Sequence, residues 1–225
     1  MNGKLIVIEG LDGSGKSTQE ELLKQSLSDL GVKVNFIKLP NYGDPACEPV
    51  KMYLAGRFGK NPEDVNAYAA SAFFAVDRFV SYNCYWKEAY LNGEVFLADR
   101  YTTSNAYHQL TKTPKSEWDS YLEWLEDFEY NKLGIPKPDS VIFLDMPIDV
   151  SQKLMTDRYN GDESKKDIHE KNIEYLQNCK EAADYSCKKL GWSRVVCGRN
   201  GEPLPINEIA ENVLNEVKKA LNIEL

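Results

Sequence analysis

One short segment near the start of the chain, GLDGSGKS at positions 10–17, restricts the fold more than any other feature. It matches the pattern Gly-x-x-x-x-Gly-Lys-Ser/Thr and lies between an apolar strand pattern at 4–9 and a helical pattern that starts at Lys16. Its three glycines let the backbone turn so that successive N–H groups point at one anion, and the helix adds the positive end of its dipole. The segment predicts a phosphate-binding loop in an α/β fold.

The side chains of this phosphate loop, residues 10–17, suit a nucleoside triphosphate that carries a magnesium ion. Lys16 can bring a positive charge to the β- and γ-phosphates, and the Ser17 hydroxyl can meet a phosphate-bound Mg²⁺. A glycine turn without a ligand would explain the glycines but not the Lys-Ser-Thr that follows them. The predicted nucleotide contacts are Gly10, Leu11, Asp12, Gly13, Ser14, Gly15, Lys16, Ser17 and Thr18.

Strand and helix patterns alternate along the rest of the chain. The predicted strands are 4–9, 33–39, 94–99, 140–145 and 193–197, and the predicted helices are 16–30, 63–91, 115–132, 150–158, 168–190 and 205–221. Apolar strands joined by helical crossovers form a parallel sheet that is covered on both faces. We therefore predict a three-layer α/β sandwich around a five-stranded parallel sheet. No repeat or linker divides the 225 residues, which predicts one domain over 1–225, with the polar segment at about 157–171 as a short lid.

Composition argues against several classes of protein. The 27 Lys and Arg residues against 35 Asp and Glu residues give a net charge of −8, which disfavours a nucleic-acid partner. The unbroken apolar runs are far shorter than the ~20 residues of a membrane-spanning helix, and we find no signal-peptide pattern, so we expect no membrane association. The five cysteines are an odd number without a Cys-x-x-Cys pair, which indicates reduced thiols in the cytoplasm.

The rest of the sequence indicates whether the γ-phosphate is hydrolysed or transferred to an acceptor. A GTPase switch would carry Asn-Lys-x-Asp, but the nearest fragment, NKLG at 131–134, lacks the acid. A motor or transporter ATPase would need further domains. A small phosphotransferase remains, and such an enzyme needs cations that converge on two sets of phosphates, together with a lid that excludes water.

Asp99 and Arg100 offer groups for such a site. They follow the third predicted strand, at the carboxyl end where parallel strands open toward a ligand crevice. Asp99 can join a Mg²⁺ shell, and Arg100 can clamp a phosphate with two hydrogen bonds. A local ion pair that only shapes the strand end explains the same two residues.

Phe74 and Arg78 lie one turn apart on one face of the predicted helix at 63–91. An aromatic ring that stacks on a base, beside a guanidinium that bonds to its edge, would read a nucleobase. The alternative is a core phenylalanine and a surface arginine that pairs with a carboxylate such as Asp77.

The polar segment contains three cations, Arg158, Lys165 and Lys166, interleaved with acids. This pattern is typical either of a solvated surface or of a lid that delivers cations to the γ-phosphate. His108 and His169 have no ligand spacing around them, so we assign no metal to either.

Taken together, these motifs resemble those of the thymidylate kinases, which transfer the γ-phosphate of ATP to dTMP. The resemblance extends over most of the chain, and the order and spacing of its motifs are specific. They are VIEGLDGSGKST at 7–18, FFAVDR at 73–78, ADRYTTSNAYHQ at 98–109, PKPDSVIFLDMP at 136–147 and RYNGDESKKDIHEK at 158–171. The resemblance implies ATP with Mg²⁺ as the donor, dTMP as the small-molecule acceptor and a homodimer formed through the long helices.

The resemblance also implies a role for each matching residue. Asp12 corresponds to a loop acid that helps to place the acceptor, and Arg100 to the arginine that holds its phosphate. Phe74 corresponds to the ring that stacks on thymine, and Arg78 to the arginine at its oxygen edge. The other implied contacts are a base contact from Asn105 and a pocket wall from Leu54. Ser17 and Asp99 are the residues whose own chemistry predicts Mg²⁺ contacts, in part through water.

Members of this family with glycine after the loop acid take their basic residues from the lid, and Gly13 places this chain among them. The implied catalytic set is therefore Asp12, Lys16, Arg100, Arg158, Lys165 and Lys166.

Two positions depart from the family pattern. Asn41 and Tyr42 stand where an arginine usually meets the acceptor phosphate, and a tyrosine hydroxyl brings a hydrogen bond without a charge. His108 stands where a Phe or Tyr usually crowds the 2′ position of the sugar. The sequence leaves two alternatives open: a kinase of the same fold with another acceptor, such as a deoxynucleoside or another monophosphate, and a regulatory module that binds ATP without transfer.

Overall fold

A computed structural model describes residues 2–158 and 173–223. At its centre lies a five-stranded parallel sheet, which confirms the predicted fold class. The strands are β1 (Lys4–Glu9), β2 (Asn35–Lys38), β3 (Val95–Asp99), β4 (Ser140–Asp145) and β5 (Ser193–Val196), in the spatial order β2-β3-β1-β4-β5. A short antiparallel hairpin, β6 (Gly198–Arg199) and β7 (Glu202–Pro203), follows β5. Because β1 is the central strand, the phosphate loop leaves the middle of the sheet.

Alternate residues of the strands point to opposite faces of the sheet, and each face has its own core. Leu5 and Val7 of β1 face a cluster rich in aromatic rings, whereas Ile6 and Ile8 face an aliphatic cluster. Strands buried on both faces are continuously apolar, and this explains why the sequence pattern located them. The sheet is the middle of three layers, as predicted.

Nine α-helices lie in the part of the chain that the structure describes. They are α1 (Lys16–Asp29), α2 (Glu48–Leu54), α3 (Ala67–Ser81), α4 (Lys87–Leu91), α5 (Thr102–His108), α6 (Trp118–Glu126), α7 (Ile148–Arg158), α8 (Ile173–Leu190) and α9 (Ile206–Leu221). Helices α1 and α9 cover the aliphatic face, and α5, α6 and α8 cover the aromatic face. None of the described helices combines the length and hydropathy that a bilayer crossing requires.

Several helices differ from their predicted extents. The helix predicted at 63–91 begins at Ala67 and passes through a π-helical segment, Tyr82–Trp86, before α4 completes it. The helix predicted at 115–132 divides into α6 and a π-helical segment, Asp127–Lys132. The sequence does not predict α2 or α5. Helix α5, TTSNAYH, is short, mostly buried and rich in residues of low helix propensity, so neither periodicity nor propensity marks it.

The carboxyl edge of the sheet brings the phosphate loop next to the turn after β3. Ile8 of β1 is paired with Asp99 of β3, and the N–H of Arg100 donates to the Ile8 carbonyl at 3.1 Å. The chain therefore leaves both strands at the same edge, and Arg100 lies beside the loop that begins at Gly10. Two distant segments of sequence thus form one crevice, where open parallel sheets bind their ligands.

Candidate active site

The phosphate loop enters α1 through glycines in a left-handed backbone conformation. Gly13 has a φ of +76°, and Gly15, immediately before α1, has a φ of +86°, a region that glycine enters without steric cost. A Cβ atom at Gly13 would lie 2.6 Å from the carbonyl oxygen of Ser151 and 2.9 Å from Cγ of Met155, both on α7. Helix α7 therefore packs directly on the loop, and position 13 has no room for a side chain.

Lys16 is the cation of the loop. Its Nζ donates to the backbone carbonyls of Gly10 at 2.7 Å and Leu11 at 3.1 Å, across the loop. Burial, together with the nearby charge of Arg100, lowers the pKa of Lys16 to about 8. An ammonium with so low a pKa is poorly stabilised in the free protein, so it gains more than an ordinary lysine when an anion binds.

We expect ATP binding to weaken above about pH 8 because of Lys16. A bound triphosphate favours the charged ammonium and raises its pKa, so binding takes up a proton once the pH exceeds the pKa of the free protein. The affinity is expected to be constant from about pH 7 to about pH 8 and then to fall by up to about tenfold per pH unit. Calorimetric titration in buffers of different ionisation enthalpy measures the affinity and the proton uptake.

The Lys16→Arg variant is the matched control for this pH dependence, since a guanidinium stays charged over the whole range. Its ATP affinity is expected to be the same at about pH 7 and at about pH 9.5. If the ATP affinity of the wild-type protein is equally independent of pH, the protonation of Lys16 is not coupled to ATP binding.

Arg100 begins the turn after β3 and directs its side chain to the phosphate loop. Its Nη2 forms an ion pair with Asp12, and its Nη1 lies 3.3 Å from the hydroxyl of Tyr107 and 3.4 Å from Nε2 of His108. Its φ of +68° is uncommon for a residue other than glycine. The fold thus brings together three predicted site residues, Asp12, Arg100 and His108.

Glu9, the last residue of β1, lies within the motif at 7–18 but receives no predicted role from the sequence. Its side chain is fully buried. Its carboxylate accepts hydrogen bonds at 2.6–3.1 Å from the N–H of Tyr101 and the hydroxyls of Thr103, Ser104 and Tyr107. All of these donors come just after Arg100 in sequence, so Glu9 fixes the turn that carries the arginine. Its sequence signal is an acid at the end of a buried strand, directly before the phosphate loop.

The oxygen atoms beside the loop fit a magnesium ion, which prefers hard oxygen ligands. Oδ2 of the buried Asp99 pairs with Nζ of Lys38 at 2.9 Å, whereas Oδ1 has no hydrogen-bond partner among the described residues. The same holds for the buried hydroxyl of Ser14. Asp99 and Lys16 line one small cavity, and Ser17 lies in the first turn of α1. A buried carboxylate oxygen without a donor is costly, and a cation with its water shell would satisfy it.

Phe74 and Leu54 lie in one apolar cluster, as a base pocket requires. Both are partly buried and pack against Tyr53, Val65 and Ala70, which are buried. The ring of Phe74 meets that of Tyr53 at an interplanar angle of 88°, with the centroids 6.2 Å apart. Because Phe74 is held in place without being fully buried, its ring can still meet a ligand.

Arg78 lies one turn further along α3 but is almost completely buried. Its Nε and Nη2 donate to the two carboxylate oxygens of Glu129 at 2.6 and 2.5 Å, and its Nη1 lies 3.4 Å from the carbonyl oxygen of Tyr101. Asn105 is buried as well, with its Nδ2 3.5 Å from Oε1 of Glu129. Arg78 is therefore paired with a carboxylate, but that carboxylate belongs to Glu129 and not to Asp77, and the pair is not on the surface.

The segment after β2, which has Tyr42 in place of an arginine, is anchored on α3. The N–H of Asn41 donates to the carboxylate of Asp77, a buried residue of α3, at 3.1 Å. Tyr42 itself is exposed. Lys38, the nearest cation to this segment in sequence, is paired with Asp99.

The predicted lid begins at the end of α7, whose last residue is Arg158. Lys165 and Lys166 lie outside the described residues, as do the side chain of Arg158 and residues 168–172 of the helix predicted at 168–190. The catalytic roles of these three cations stay predictions.

Arg100 lies beside the phosphate loop, in the turn that follows the neighbouring strand β3, and such a place suits an arginine that binds a second phosphate-bearing molecule. The fold and the site define a nucleotide kinase of the P-loop class. A family model for thymidylate kinase matches residues 8–199, and the chain belongs to that family.

Individual relatives agree with this assignment. Thymidylate kinase from Mycobacterium tuberculosis is 28% identical over 203 residues, which cover 88% of this chain and 93% of the relative. Probable thymidylate kinase 1 from Saccharolobus solfataricus is 31% identical over 179 residues, which cover 79% of this chain and 84% of the relative. The solved structure of thymidylate kinase from Candida albicans shares the fold, with a TM-score of 0.68 and 22% identity over 99% of this chain and 94% of that one.

Proposed function

We propose that this protein transfers the γ-phosphate of ATP to dTMP, with Mg²⁺ as the metal ion. The observation that carries the proposal is the ion pair of Arg100 with Asp12, because it places an acceptor-side arginine against the donor loop. A module that only binds ATP has no need of such an arginine. The reaction is that of the family, and the apolar pocket around Phe74 suits the base of its acceptor.

On the donor side, the backbone N–H groups of residues 10–18 hold the triphosphate at the N-terminus of α1. When ATP binds, Nζ of Lys16 leaves the carbonyl oxygens of Gly10 and Leu11 and contacts the β- and γ-phosphates, where its charge offsets that of the transferred group. Asp99 and Ser17 would hold Mg²⁺, which when bound neutralises charge on the phosphates.

On the acceptor side, Arg100 holds the dTMP phosphate in line with the γ-phosphate, and Asp12 keeps the guanidinium at the loop. Tyr42 adds a hydrogen bond to that phosphate, and His108, beside Arg100, limits the space at the sugar.

The base contacts are a stacked ring from Phe74, an apolar wall from Leu54, and polar edge contacts from Arg78 and Asn105.

Charge and positioning stabilise the loose transition state of phosphoryl transfer, so a strong base is not needed. Glu9 contributes by fixing the turn that carries Arg100. We assign the remaining cations to the lid, Arg158, Lys165 and Lys166. The packing of Gly13 against α7 supports this assignment, because the loop has no room for an arginine at that position.

A panel of acceptors tests the proposal. ADP formation from ATP and Mg²⁺ is measured with dTMP, dUMP, dCMP, dGMP, UMP and thymidine, and a clear preference for dTMP is the expected result. A preference for thymidine or for another monophosphate would favour a kinase of the same fold with a different acceptor. ATP binding without ADP formation would favour a regulatory module.

We also propose a homodimer formed through α3. Tyr68, Val76 and Phe79 are exposed, and their spacing places all three on one side of this helix. Light scattering is expected to give a dimer mass for the wild-type protein and a monomer mass for Val76→Glu. Ile206→Glu, at an exposed apolar position on α9, is the control and is expected to stay dimeric. A wild-type protein of monomer mass would contradict the proposal.

The cytoplasm is the compartment that we propose for this reaction. All five cysteines are free thiols, as expected of a protein in a reducing environment. Residues 1–225 are proposed to form a single kinase domain.

A further inference from the structure

A buried carboxylate lies next to the proposed base pocket and belongs to none of the sequence motifs. Glu129 is part of the π-helical segment Asp127–Lys132, and its side chain is fully buried. Its two oxygens accept hydrogen bonds from Nε and Nη2 of Arg78 at 2.6 and 2.5 Å. Both partners are nearly inaccessible to solvent, so water and salt screen this pair only weakly.

Two groups from α5 also surround Glu129. The hydroxyl of Thr102 donates to Oε2 at 2.8 Å, and Nδ2 of Asn105 lies 3.5 Å from Oε1. Thr102 comes two residues after Arg100, so the same short helix borders the phosphate contact and the base contact. Glu129 therefore joins α3, α5 and the segment after α6 at one point.

This arrangement determines what Arg78 can offer a ligand. Glu129 occupies Nε and Nη2, and the carbonyl oxygen of Tyr101 lies 3.4 Å from Nη1, so the plane of the guanidinium is fixed. A guanidinium has N–H donors and no acceptor. A base edge placed against it must therefore present an oxygen or an unprotonated nitrogen.

We infer that Glu129 is a positioning residue that makes the acceptor site selective for the base. The inference rests on the proposed function, since it concerns how the same site reads its acceptor. Thymine and uracil carry the acceptor O4 where cytosine carries an amino donor. A guanidinium that is fixed by Glu129 bonds to O4 and is left facing a donor when cytosine binds. A guanidinium released from Glu129 can turn away, so it distinguishes the two edges less well.

The Glu129→Gln variant tests this inference, because it keeps the shape of the side chain and removes its charge. The ratio of kcat/KM for dTMP to kcat/KM for dCMP is expected to fall about tenfold, the effect of one weakened charge-assisted hydrogen bond. The ratio for dTMP to dUMP is expected to keep its wild-type value, since both bases carry O4. The change for dTMP is expected in KM with kcat nearly unchanged, because the groups that hold the phosphates are intact.

Glu126→Gln is the matched control for this substitution. Glu126 lies on α6, just before the π-helical segment, and pairs with Lys137 at 2.7 Å rather than with Arg78. Both acceptor ratios of this variant are expected to equal those of the wild-type protein.

A second pair of variants covers the case in which Glu129→Gln does not fold because Arg78 is left as an unpaired buried charge. Thr102→Val removes the hydroxyl that donates to Glu129, and Thr102→Ser keeps it. Thr102→Val is expected to lower the dTMP-to-dCMP ratio, and Thr102→Ser to preserve it.

Two outcomes would overturn the inference. One is a dTMP-to-dCMP ratio that stays at the wild-type value in Glu129→Gln, or in Thr102→Val where the first variant does not fold. The other is a dTMP-to-dUMP ratio that falls as far as the dTMP-to-dCMP ratio, which is the result of general damage to the pocket. A wild-type protein that does not phosphorylate dTMP would instead contradict the proposed function.

Discussion

The Lys16→Ala variant is expected to phosphorylate dTMP about 10²- to 10³-fold more slowly than the wild-type protein, without a fall in melting temperature. The charge is lost where the transferred phosphate needs it, so kcat carries most of the effect. The fold does not depend on this charge. Because the pKa of Lys16 in the folded protein, about 8, lies below the value of 10.5 that is usual for lysine, the ammonium disfavours folding at neutral pH, and its removal relieves that effect.

Steady-state kinetics and a thermal melt test the two parts of this prediction. Lys24→Ala is the control on the same helix, since Lys24 pairs with Glu20 at 2.5 Å on the surface, about two turns beyond the phosphate loop. Its turnover is expected to equal that of the wild-type protein. Wild-type turnover in a folded Lys16→Ala protein would exclude the phosphate loop from the reaction.

The local features of the molecule are predictable from the sequence. Strands β1 and β4 have the predicted bounds, 4–9 and 140–145, because an unbroken apolar run is a local property of a buried parallel strand. The phosphate loop is equally local, since its glycines, lysine and serine are neighbours in sequence and their spacing alone carries the chemistry.

The contacts that support the site are not local, and the sequence does not predict them. Glu9 meets Tyr107 across 98 positions, and Arg78 meets Glu129 across 51 positions. Partners so far apart leave no periodic signal, and an acid at the end of a strand or helix is usually an ordinary surface residue. The sequence also does not predict α5, and without that helix Tyr107 cannot be placed beside Glu9.

The turn after β3 shows why Arg100 needs these contacts. A φ of +68° outside glycine costs of the order of 1–3 kcal/mol, and it persists only where the surrounding structure enforces it. Tyr101 and Thr103, which follow Arg100 in the chain, donate hydrogen bonds to the buried carboxylate of Glu9 and so hold the turn in place. The guanidinium is thereby held at the phosphate loop before any substrate binds, and this preorganisation favours the transfer step.

The Arg100→Ala variant is expected to lower kcat/KM for dTMP about 10²- to 10³-fold, with an ATP affinity close to that of the wild-type protein. In the proposed site, Arg100 meets the acceptor phosphate, whereas the phosphate loop and Lys16 hold ATP. The loss of Arg100 also removes one cause of the low pKa of Lys16, so it does not weaken the charge that ATP meets. The two variants are therefore expected to separate the donor and acceptor sides of the crevice.

Arg100→Lys distinguishes the charge of this side chain from its shape. An ammonium keeps the charge but loses the planar fork that bonds to Asp12 and to a phosphate together, so kcat/KM is expected to lie between the wild-type and Arg100→Ala values. Arg194→Ala is the control, since Arg194 pairs with Asp145 and not with the phosphate loop. Kinetics with dTMP and calorimetric titration with ATP measure both effects. An Arg100→Ala protein that loses ATP binding but keeps its KM for dTMP would place Arg100 on the donor side.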